Sequence, residues 1–595
     1  MSNRGKSFWI FLLFLVNKNT MGGKKSEHCY NAVAMKRWIC FIVAVWLQSI
    51  NGTNSVFSDY SSDLKKVMGI NQIKLNSLAV ASDLGKIMGW VSGVGCMLLP
   101  TWAVLGIAMS LGIVGYGVQW LMMTQIIPPL AFWQVYMLCF LAGNSICWFN
   151  TVSFRAAIEN FPSNRGIASG LSTSYSGLSA VIYTCFSSIM SKGQSSSYLL
   201  LNFLVPSIVA IISAILLHVC ESKKANEEEK VDKKNMILFT LIAITTAVCS
   251  ILYEFLPLRN TEGQGIYMSV LFMLLLVPLY IPLKSAFGHT TKTKKVINYN
   301  SSPRKSPRTS LEIKGGNGTK STDEEKSEKN SKLIAETTNS HTIIDIDTQK
   351  KAKKKSVPLL GEEHGIMDLL ASLDFWLYYF VYFCGGTVGL VYINNLGQIL
   401  QSLGYTKNLI LVSLVSSFGF FGRIASGIPD YIQQWRLTKD WRPIPRPAWI
   451  GIWMVPMAVA FFMMALLNPR SMGVLYVSTA IVGLSSGAIT TIAIPVSSEL
   501  FGLEHFGVNH NILITNIALG SILFGEIAGV IYDKSSSTQG IEAGGRLLCV
   551  GRQCYGKTFL LWGGVCSFGV LLCVILCVRT RELYISMHRQ SQNQN

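Results

Sequence analysis

Fourteen apolar stretches, each about 20 residues long, dominate the chain. A helix of that length crosses a bilayer core of about 30 Å, and a helix satisfies its own backbone hydrogen bonds in lipid. The sequence therefore predicts an all-α membrane protein whose spans fall into groups of six, two and six. The expected spans are 38–57, 75–99, 102–127, 131–154, 167–190, 198–219, 236–256, 265–283, 375–396, 408–428, 449–467, 472–495, 506–532 and 559–578.

The low charge content excludes an ordinary soluble protein. Only 14% of the 595 residues are charged, whereas soluble domains carry about 25%, and the mean hydropathy is +0.38. Many of the charges lie between 285 and 371, which hold 16 Lys or Arg and 11 Asp or Glu. The sequence shows no recognisable nucleophile–base pair, nucleotide-binding loop or metal-ligand spacing. We therefore expect no enzyme, no cofactor, no metal and no nucleic-acid partner.

Lys and Arg collect on one side of the predicted membrane. With a cytosolic N-terminus, the cytosolic segments hold 39 of these residues and the opposite side holds 11. Because cytosolic flanks collect basic residues, both termini are predicted to be cytosolic. The plasma membrane and the vacuolar membrane are equally consistent with the sequence.

Residues 1–37 are expected to form a cytosolic extension. The apolar run 8–16 resembles a signal-peptide core, but it is too short to span and lies far from a cleavage site. Translation starting at Met21 or Met35 is an alternative.

A motif recurs in the two halves of the chain. Residues 159–166 read Glu-Asn-Phe-Pro-Ser-Asn-Arg-Gly, and residues 499–507, at an offset of 340, read Glu-Leu-Phe-Gly-Leu-Glu-His-Phe-Gly. Eight spans precede the second unit, so both units enter the membrane in the same sense. Such a parallel duplication is typical of the major facilitator architecture, in which substrate binds near the midplane between the halves.

The predicted fold is therefore two six-helix bundles of the major facilitator type, with two extra helices and a long cytosolic linker between them. The expected parts are an extension over 1–37, a first bundle with the extra helices over 38–284, a linker over 285–371, a second bundle over 372–580 and a cytosolic tail over 581–595.

The linker has too few apolar residues to offset its chain entropy, and disorder is expected. Ser302 and Ser306 each precede a proline between basic residues. A kinase acting on these two serines would oppose the basic charge, although such short pairs also arise by chance.

Ionisable residues inside spans are costly, so each is a functional candidate. Asp83 and Lys86 are three residues apart and can pair along one helix. They form either a structural pair or a gate or proton-linked site. Glu526 lies between Gly525 and Gly529, where we expect a buried carboxylate suited to proton coupling or, alternatively, bonded to a neighbouring helix.

Uncharged polar side chains crowd several spans that are expected to line the central pathway. They suit a small polar solute, and the alternative is hydrogen bonding between helices. They are Gln48, Asn51, Asn54, Asn144, Asn150, Asn394, Asn395, Ser485, Ser486, Thr490 and Thr491.

Arg423 and Asp430, with Gly422 and Gly427, resemble the loop motif whose charges close the cytosolic side of major facilitator proteins. The corresponding stretch of the first half, 89–99, lacks both charges. Its place is predicted to be taken by three charged residues at the cytosolic mouth. These additional gate candidates are Arg155, Glu159 and Arg165.

Most of the fourteen cysteines lie inside spans and are expected to be small apolar fillers. Cys549 and Cys554 fall in the last non-cytosolic loop, where a disulfide and two free thiols are the alternatives.

Several motifs together resemble the plant nodulin-like membrane proteins of the nuclear-fusion-defective group within the major facilitator superfamily. The motifs are Tyr60-Ser61-Ser62-Asp63-Leu64-Lys65, Asp83-Leu84-Gly85-Lys86, Gly115-Tyr116-Gly117, Asn160-Phe161-Pro162 with Arg165-Gly166, and the stretch 549–555. The resemblance covers 38–284 and 375–580 and implies a multi-pass, transporter-like protein without specifying its cargo.

We therefore expect a secondary transporter that moves a small polar solute or ion by alternating access, with proton coupling through Glu526 or Asp83 as one option. The alternative is a transporter-shaped receptor or scaffold that signals through the linker without flux.

Overall fold

The computed structural model describes residues 25–70, 72–191, 194–220, 229–255, 261–284, 358–403, 409–437, 442–466, 472–539, 542–543, 546–547 and 549–594. Apart from residues 358 and 359, these residues belong to one compact unit. The predicted phosphorylation sites Ser302 and Ser306 and the apolar run 8–16 lie outside the described residues.

The first half of the chain is mostly helical in its described part. Its α-helices are α1 (Lys25–Ile50), α2 (Phe57–Met68), α3 (Gln72–Gly85), α4 (Gly89–Leu98), α5 (Thr101–Gly112), α6 (Val118–Met123), α7 (Phe132–Asn160), α8 (Arg165–Ser174), α9 (Ser179–Ser191), α10 (Ser195–Cys220), α11 (Glu229–Phe255) and α12 (Thr261–Leu276). The helical path continues through short 3₁₀ turns at Lys86–Met88 and Tyr175–Leu178 and a π-helical turn at Ile113–Gly117.

The second half repeats this organisation. Its helices are α13 (Ile366–Ala371), α14 (Leu373–Tyr382), α15 (Val388–Ser402), α16 (Leu409–Ala425), α17 (Ile428–Leu437), α18 (Arg446–Leu466), α19 (Met472–Leu500), α20 (Phe506–Gln539) and α21 (Gly556–Gln594). A π-helical turn at Phe383–Thr387 joins α14 to α15. Two short antiparallel strands, β1 (Glu542–Ala543) and β2 (Arg546–Leu547), precede α21.

Ten helical segments of the described chain are long and apolar enough to cross a membrane. Together with the shorter and interrupted helices they form two six-helix bundles with two extra helices, as predicted. The extra helix α11 packs against both α8 of the first bundle and α16 of the second, and α12 packs against α9. The extra helices therefore cover one side of the junction between the bundles.

The first span differs from the prediction. A continuous helix over 38–57 was expected, but α1 ends at Ile50 and a 3₁₀ turn begins at Thr53. Gly52 at this break lies so close to the start of α9 that an added Cβ would be 2.5 Å from the Cβ of Ser179. The close approach, together with local hydrogen bonds of the amide side chains, ends the helix early.

The end of the predicted linker is also folded. Residues 358–371 were expected to be disordered, but His364 and Leu369 are fully buried there and α13 begins at Ile366. The carboxylate of Glu363 accepts the backbone N–H groups of Leu503 (2.8 Å) and Glu504 (3.0 Å). These contacts offset the chain entropy that the composition alone does not offset.

Candidate functional site

Three amide side chains meet at the break in the first span. Asn150 Oδ1, on α7, accepts hydrogen bonds from Asn51 Nδ2 (2.6 Å) and Gln48 Nε2 (2.9 Å). Asn51 also donates to the carbonyl of Ile146. Interrupted membrane helices near the midplane commonly form the substrate site of transporters, so this cluster is a candidate for contact with a solute.

A second polar layer follows directly. Tyr116, in the π-helical turn, donates to Thr53 Oγ1 (2.8 Å), and Asn54 Oδ1 accepts from Tyr116 (3.3 Å) and Ser82 (2.9 Å). Single π-helical turns are frequent at functional sites. Here the turn brings the Tyr116 hydroxyl to the residues that follow the helix break.

A small cavity lies beside this layer inside the first bundle. Its walls include Asn51, Tyr116 and Asn202. The Asn202 side chain is 1% exposed, and both its amide atoms lack a hydrogen-bond partner among the described residues. Because buried amides are normally paired, this cavity suits an ordered water.

Asp83 and Lys86 form the predicted ion pair, with Lys86 Nζ 2.7 Å from Asp83 Oδ1. Both side chains are partly buried, and the turn that begins at Lys86 packs against α20 of the second bundle. Asn144 on α7 donates to the carbonyl of Gly85 (3.2 Å) and accepts from the indole of Trp148 (2.7 Å). The pair therefore lies at the junction of the halves, and Asn144 serves helix packing beside it.

The polar candidates of the second bundle are dispersed. Asn394 is exposed, while Asn395 and Thr490 each bond a carbonyl of their own helix. Ser485 is fully buried, and its hydroxyl has no partner among the described residues. Ser486 is also buried, and an added Cβ on Gly389 would lie 2.7 Å from its Cβ.

Glu526 is exposed, which corrects the expectation of a buried carboxylate. It shares a face of α20 with exposed apolar side chains that include Leu519, Leu523 and Val530. The sequence pattern places it within an apolar span, but it does not show which face of that helix packs against other helices.

The Arg423 side chain faces the first half and not Asp430. Its guanidinium faces Gly177 of the first half, where an added Cβ would be 3.1 Å from Nη1. Arg423 does not contact Asp430 in the described structure; that carboxylate is 2.5 Å from Nη2 of Arg446 instead.

A buried charge cluster lies at one end of the junction, which we call the gate end. Arg446 Nε lies 2.9 Å from Glu499 Oε1, and Tyr584 donates to Glu499 Oε2 (2.8 Å). Arg446, Glu499 and Asp430 are all at most 9% exposed. We call these three residues and Tyr584 the gate cluster. Burial raises the pKa of the Asp430 carboxyl, while the Arg446 guanidinium acts against that shift.

All members of the gate cluster belong to the second half, and Asp430 connects it to the first. Asp430 Oδ2 accepts the backbone N–H of Ile167 (2.8 Å) in the first turn of α8, where a helix favours negative charge. Arg165 donates to the Ser498 hydroxyl (3.2 Å) beside this contact. The N-terminus of α8 thus docks on a surface that Arg446 and Glu499 hold in place.

Further contacts between the halves accompany this docking. Gln434 Nε2 donates to Asn164 Oδ1 (2.9 Å), and Asn511 Nδ2 donates to Thr151 Oγ1 (2.8 Å). Gly93 on α4 lies against the backbone of Val508 at the start of α20. The halves therefore meet along α8, which packs against α16, α17 and α19, and along α20, which packs against α3, α4 and α7.

Family models match nearly the whole described chain. A nodulin-like model matches residues 37–283, and a model described as NFD4, C-terminal domain matches residues 359–586. Protein NUCLEAR FUSION DEFECTIVE 4 of Arabidopsis thaliana is 39% identical, over 94% of this chain and 90% of that protein. The chain belongs to the nodulin-like family. The resemblance inferred from the motifs is thereby confirmed.

Two further proteins resemble this nodulin-like chain at lower sequence identity. The probable transporter mch1 of Emericella nidulans is 25% identical over 35% of the chain and 37% of that protein. A double-tryptophan mutant of XylE has a TM-score of 0.51 at 13% identity, covering 92% of the chain and 97% of XylE. XylE is an MFS (major facilitator superfamily) proton:xylose symporter. The chain therefore has the predicted major facilitator-type fold.

Two of the predicted gate residues of the nodulin-like chain have a local role. Arg155 Nε lies 2.6 Å from Glu159 Oε1 on the same helix, and Arg155 also donates to the Cys96 carbonyl. Both partners belong to the first half. Sequence reasoning missed Arg446 and Glu499, although Glu499 begins the repeated motif and is therefore the residue that the repeat singled out.

Cys549 and Cys554 are joined by a disulfide in the structure. Among the described residues, Glu363, Glu504 and His505 bring potential metal ligands within 4.8 Å of one another. Because the Glu363 carboxylate already accepts backbone N–H groups, this cluster serves the local turn.

Proposed function

We propose that this nodulin-like chain is a secondary transporter that moves a small polar solute or ion by alternating access between its two bundles. The observation that carries the proposal is the Asp430–Ile167 contact, because a charged side chain of the second half there accepts a backbone N–H of the first half. The Arg165–Ser498 and Gln434–Asn164 hydrogen bonds accompany it at the same end. Polar side chains around the break in the first span supply a solute site deeper in the bundle.

Asp83 is the candidate of choice for proton coupling. Protonation of Asp83 would remove its attraction to Lys86, and the turn that begins at Lys86 packs against the opposite half. A proton would thus change a contact between the halves, which is what coupling requires. Glu526, which is exposed, is the second candidate.

The test is an uptake screen of polar solutes in a heterologous cell, followed by flux in proteoliposomes with and without a pH gradient. We expect Asp83→Asn to abolish the pH-gradient dependence of uptake and Glu526→Gln to preserve it. Loss of that dependence only in Glu526→Gln would reassign the proton site. The absence of flux for every solute in the screen would refute the transporter proposal.

Both termini are proposed to be cytosolic, so that the gate end faces the cytosol. The loops that carry Lys223 and Arg436 would then lie on the same side of the membrane. Protease or labelling experiments that place Lys223 and Arg436 on opposite sides would refute this topology.

A second candidate is a transporter-shaped receptor that signals through the linker. It is supported by the link between the folded end of the linker and the gate end. The N–H of Gly361 donates to the carbonyl of Leu500 (2.8 Å), next to Glu499 of the gate cluster. Solute binding without flux would favour this function over transport.

A further inference from the structure

We propose that Arg423 binds a singly charged organic anion, such as a carboxylate, in the pathway between the halves. This inference rests on the proposed transport function and specifies the class of solute. Arg423 carries a positive charge among the apolar helices of the bundle.

Arg423 differs from Lys86 and Arg446, which are both paired with carboxylates. Lys86 is paired with Asp83, and Arg446 with two carboxylates. Within the described part of the chain, no carboxylate pairs with the Arg423 guanidinium and no acceptor receives a hydrogen bond from it. The Tyr382 hydroxyl lies near enough to interact with it electrostatically. A cation in such surroundings is costly unless a counter-charge or water reaches it.

The side chain points away from the gate. Side chains on a helix lean toward its N-terminus, and Arg423 is in the last turn of α16. At Gly177, the nearest atoms after the guanidinium are the carbonyl oxygen of Ser416 and the Cβ of Phe420, both earlier on that helix. The guanidinium thus does not cap the end of its own helix, which is the simplest structural role for a terminal arginine.

Arg423 lies at the level of the break in the first span. Gly177, which the guanidinium faces, lies between Ser176 and Ser179 on the same helical path. Ser179 donates to the carbonyl of Ser49 (2.9 Å) and accepts the N–H of Gly52 (3.1 Å). The guanidinium and the helix break therefore contact neighbouring residues of one helical path in the first half, at one depth. Arg423 is also only partly buried, which leaves it accessible to a solute.

The chemistry of the site limits the ligand. A planar guanidinium matches the two oxygens of a carboxylate. One uncompensated cation balances one negative charge, whereas a dianion would leave a buried charge without a partner. Amide and hydroxyl groups around the helix break would bond the polar remainder of the solute.

The experiment measures thermal stabilisation of the purified full-length protein by acetate, lactate and benzoate, each against its neutral amide. We expect at least one carboxylate to stabilise the protein more than its amide does. Arg423→Gln should weaken that binding about 10- to 150-fold, the value of a charged hydrogen bond, and Arg423→Lys should weaken it less. Arg589→Gln removes an exposed charge in the C-terminal tail and should change nothing.

The proposal is overturned if no carboxylate exceeds its amide, or if Arg423→Gln binds carboxylate as well as the wild type. It is likewise overturned if malonate, a dianion, binds more tightly than acetate. Flux measurements separate the two proposals. Arg423-dependent anion binding without flux would refute transport alone, and undiminished flux of a carboxylate in Arg423→Gln would refute the anion site alone.

Discussion

Replacing Asp430 by Asn should open the gate end. The substitution keeps the shape of the side chain and removes the charge that receives the Ile167 N–H. Arg446 keeps Glu499 as its partner, so the second half retains a compensated ion pair. The change therefore acts mainly on the contact between the halves and not on the fold of the second bundle.

The magnitude follows from that single contact. Asp430 is 4% exposed, so solvent screens its interactions little. A hydrogen bond to a charged group contributes about 1.5–3 kcal/mol, and a neutral hydrogen bond about 0.5–1.5 kcal/mol. Because the amide oxygen of Asn still accepts the Ile167 N–H, the substitution removes only the difference, about 1–1.5 kcal/mol. The open fraction at the gate end should therefore increase roughly 5- to 12-fold in Asp430→Asn.

A buried reporter measures this fraction. Ser426 is fully buried and lies where an added Cβ on Gly170 would be 2.8 Å from its hydroxyl. Ser426→Cys should react with a maleimide only when the halves separate, and mass spectrometry of its peptide distinguishes it from the native cysteines. The matched control is Glu159→Gln, since Glu159 is paired with Arg155 of its own half. Equal labelling rates of the reporter with and without the Asp430→Asn substitution would refute the assignment of this carboxylate to closure.

Three further predictions concern the same structure. Gly166→Ala should also speed labelling of the Ser426→Cys reporter, because its Cβ would lie 2.5 Å from Arg446 Nη1, whereas Gly106→Ala, with nothing within 4 Å, should not. Glu363→Ala should lower the free energy of unfolding by about 0.5–2 kcal/mol through loss of a cap at Leu503 and Glu504; an unchanged thermal melt would contradict this. Cys549→Ser should cost about 2 kcal/mol, the expected value for a loop of five residues, and reductant should destabilise the wild type but not this variant.

The spans could be predicted because the bilayer fixes both their length and their composition. The expected span 472–495 corresponds to α19 (Met472–Leu500), and 198–219 corresponds to α10 (Ser195–Cys220). The break after Ile50 could not be placed, since it depends on the approach of Gly52 to a helix more than a hundred residues away. Hydropathy does not record such approaches.

The candidate site was only partly accessible to sequence reasoning. The Asp83–Lys86 pair is local in sequence and could be inferred from spacing along one helix. The partner of Asp430 could not be inferred, because the nearer cation in sequence, Arg423, points toward Gly177 and Arg446 takes its place. The exposure of Glu526 could not be predicted from the sequence either, because a membrane-spanning helix is equally apolar on its packed and unpacked faces.

The positions of Arg423 and Asp430 suggest how a solute would act on the gate. Both the N–H and the hydroxyl of Ser426 donate to the carbonyl of Arg423, and the chain then turns into α17, which carries Asp430. The proposed anion site and the gate contact are thus joined by one hydrogen-bonded turn. A solute that touched Arg423 alone would bind the open and closed states equally and would shift nothing. A solute that also bonded the first half beside Gly177 would bind more tightly when the halves are together, and its release would favour their separation.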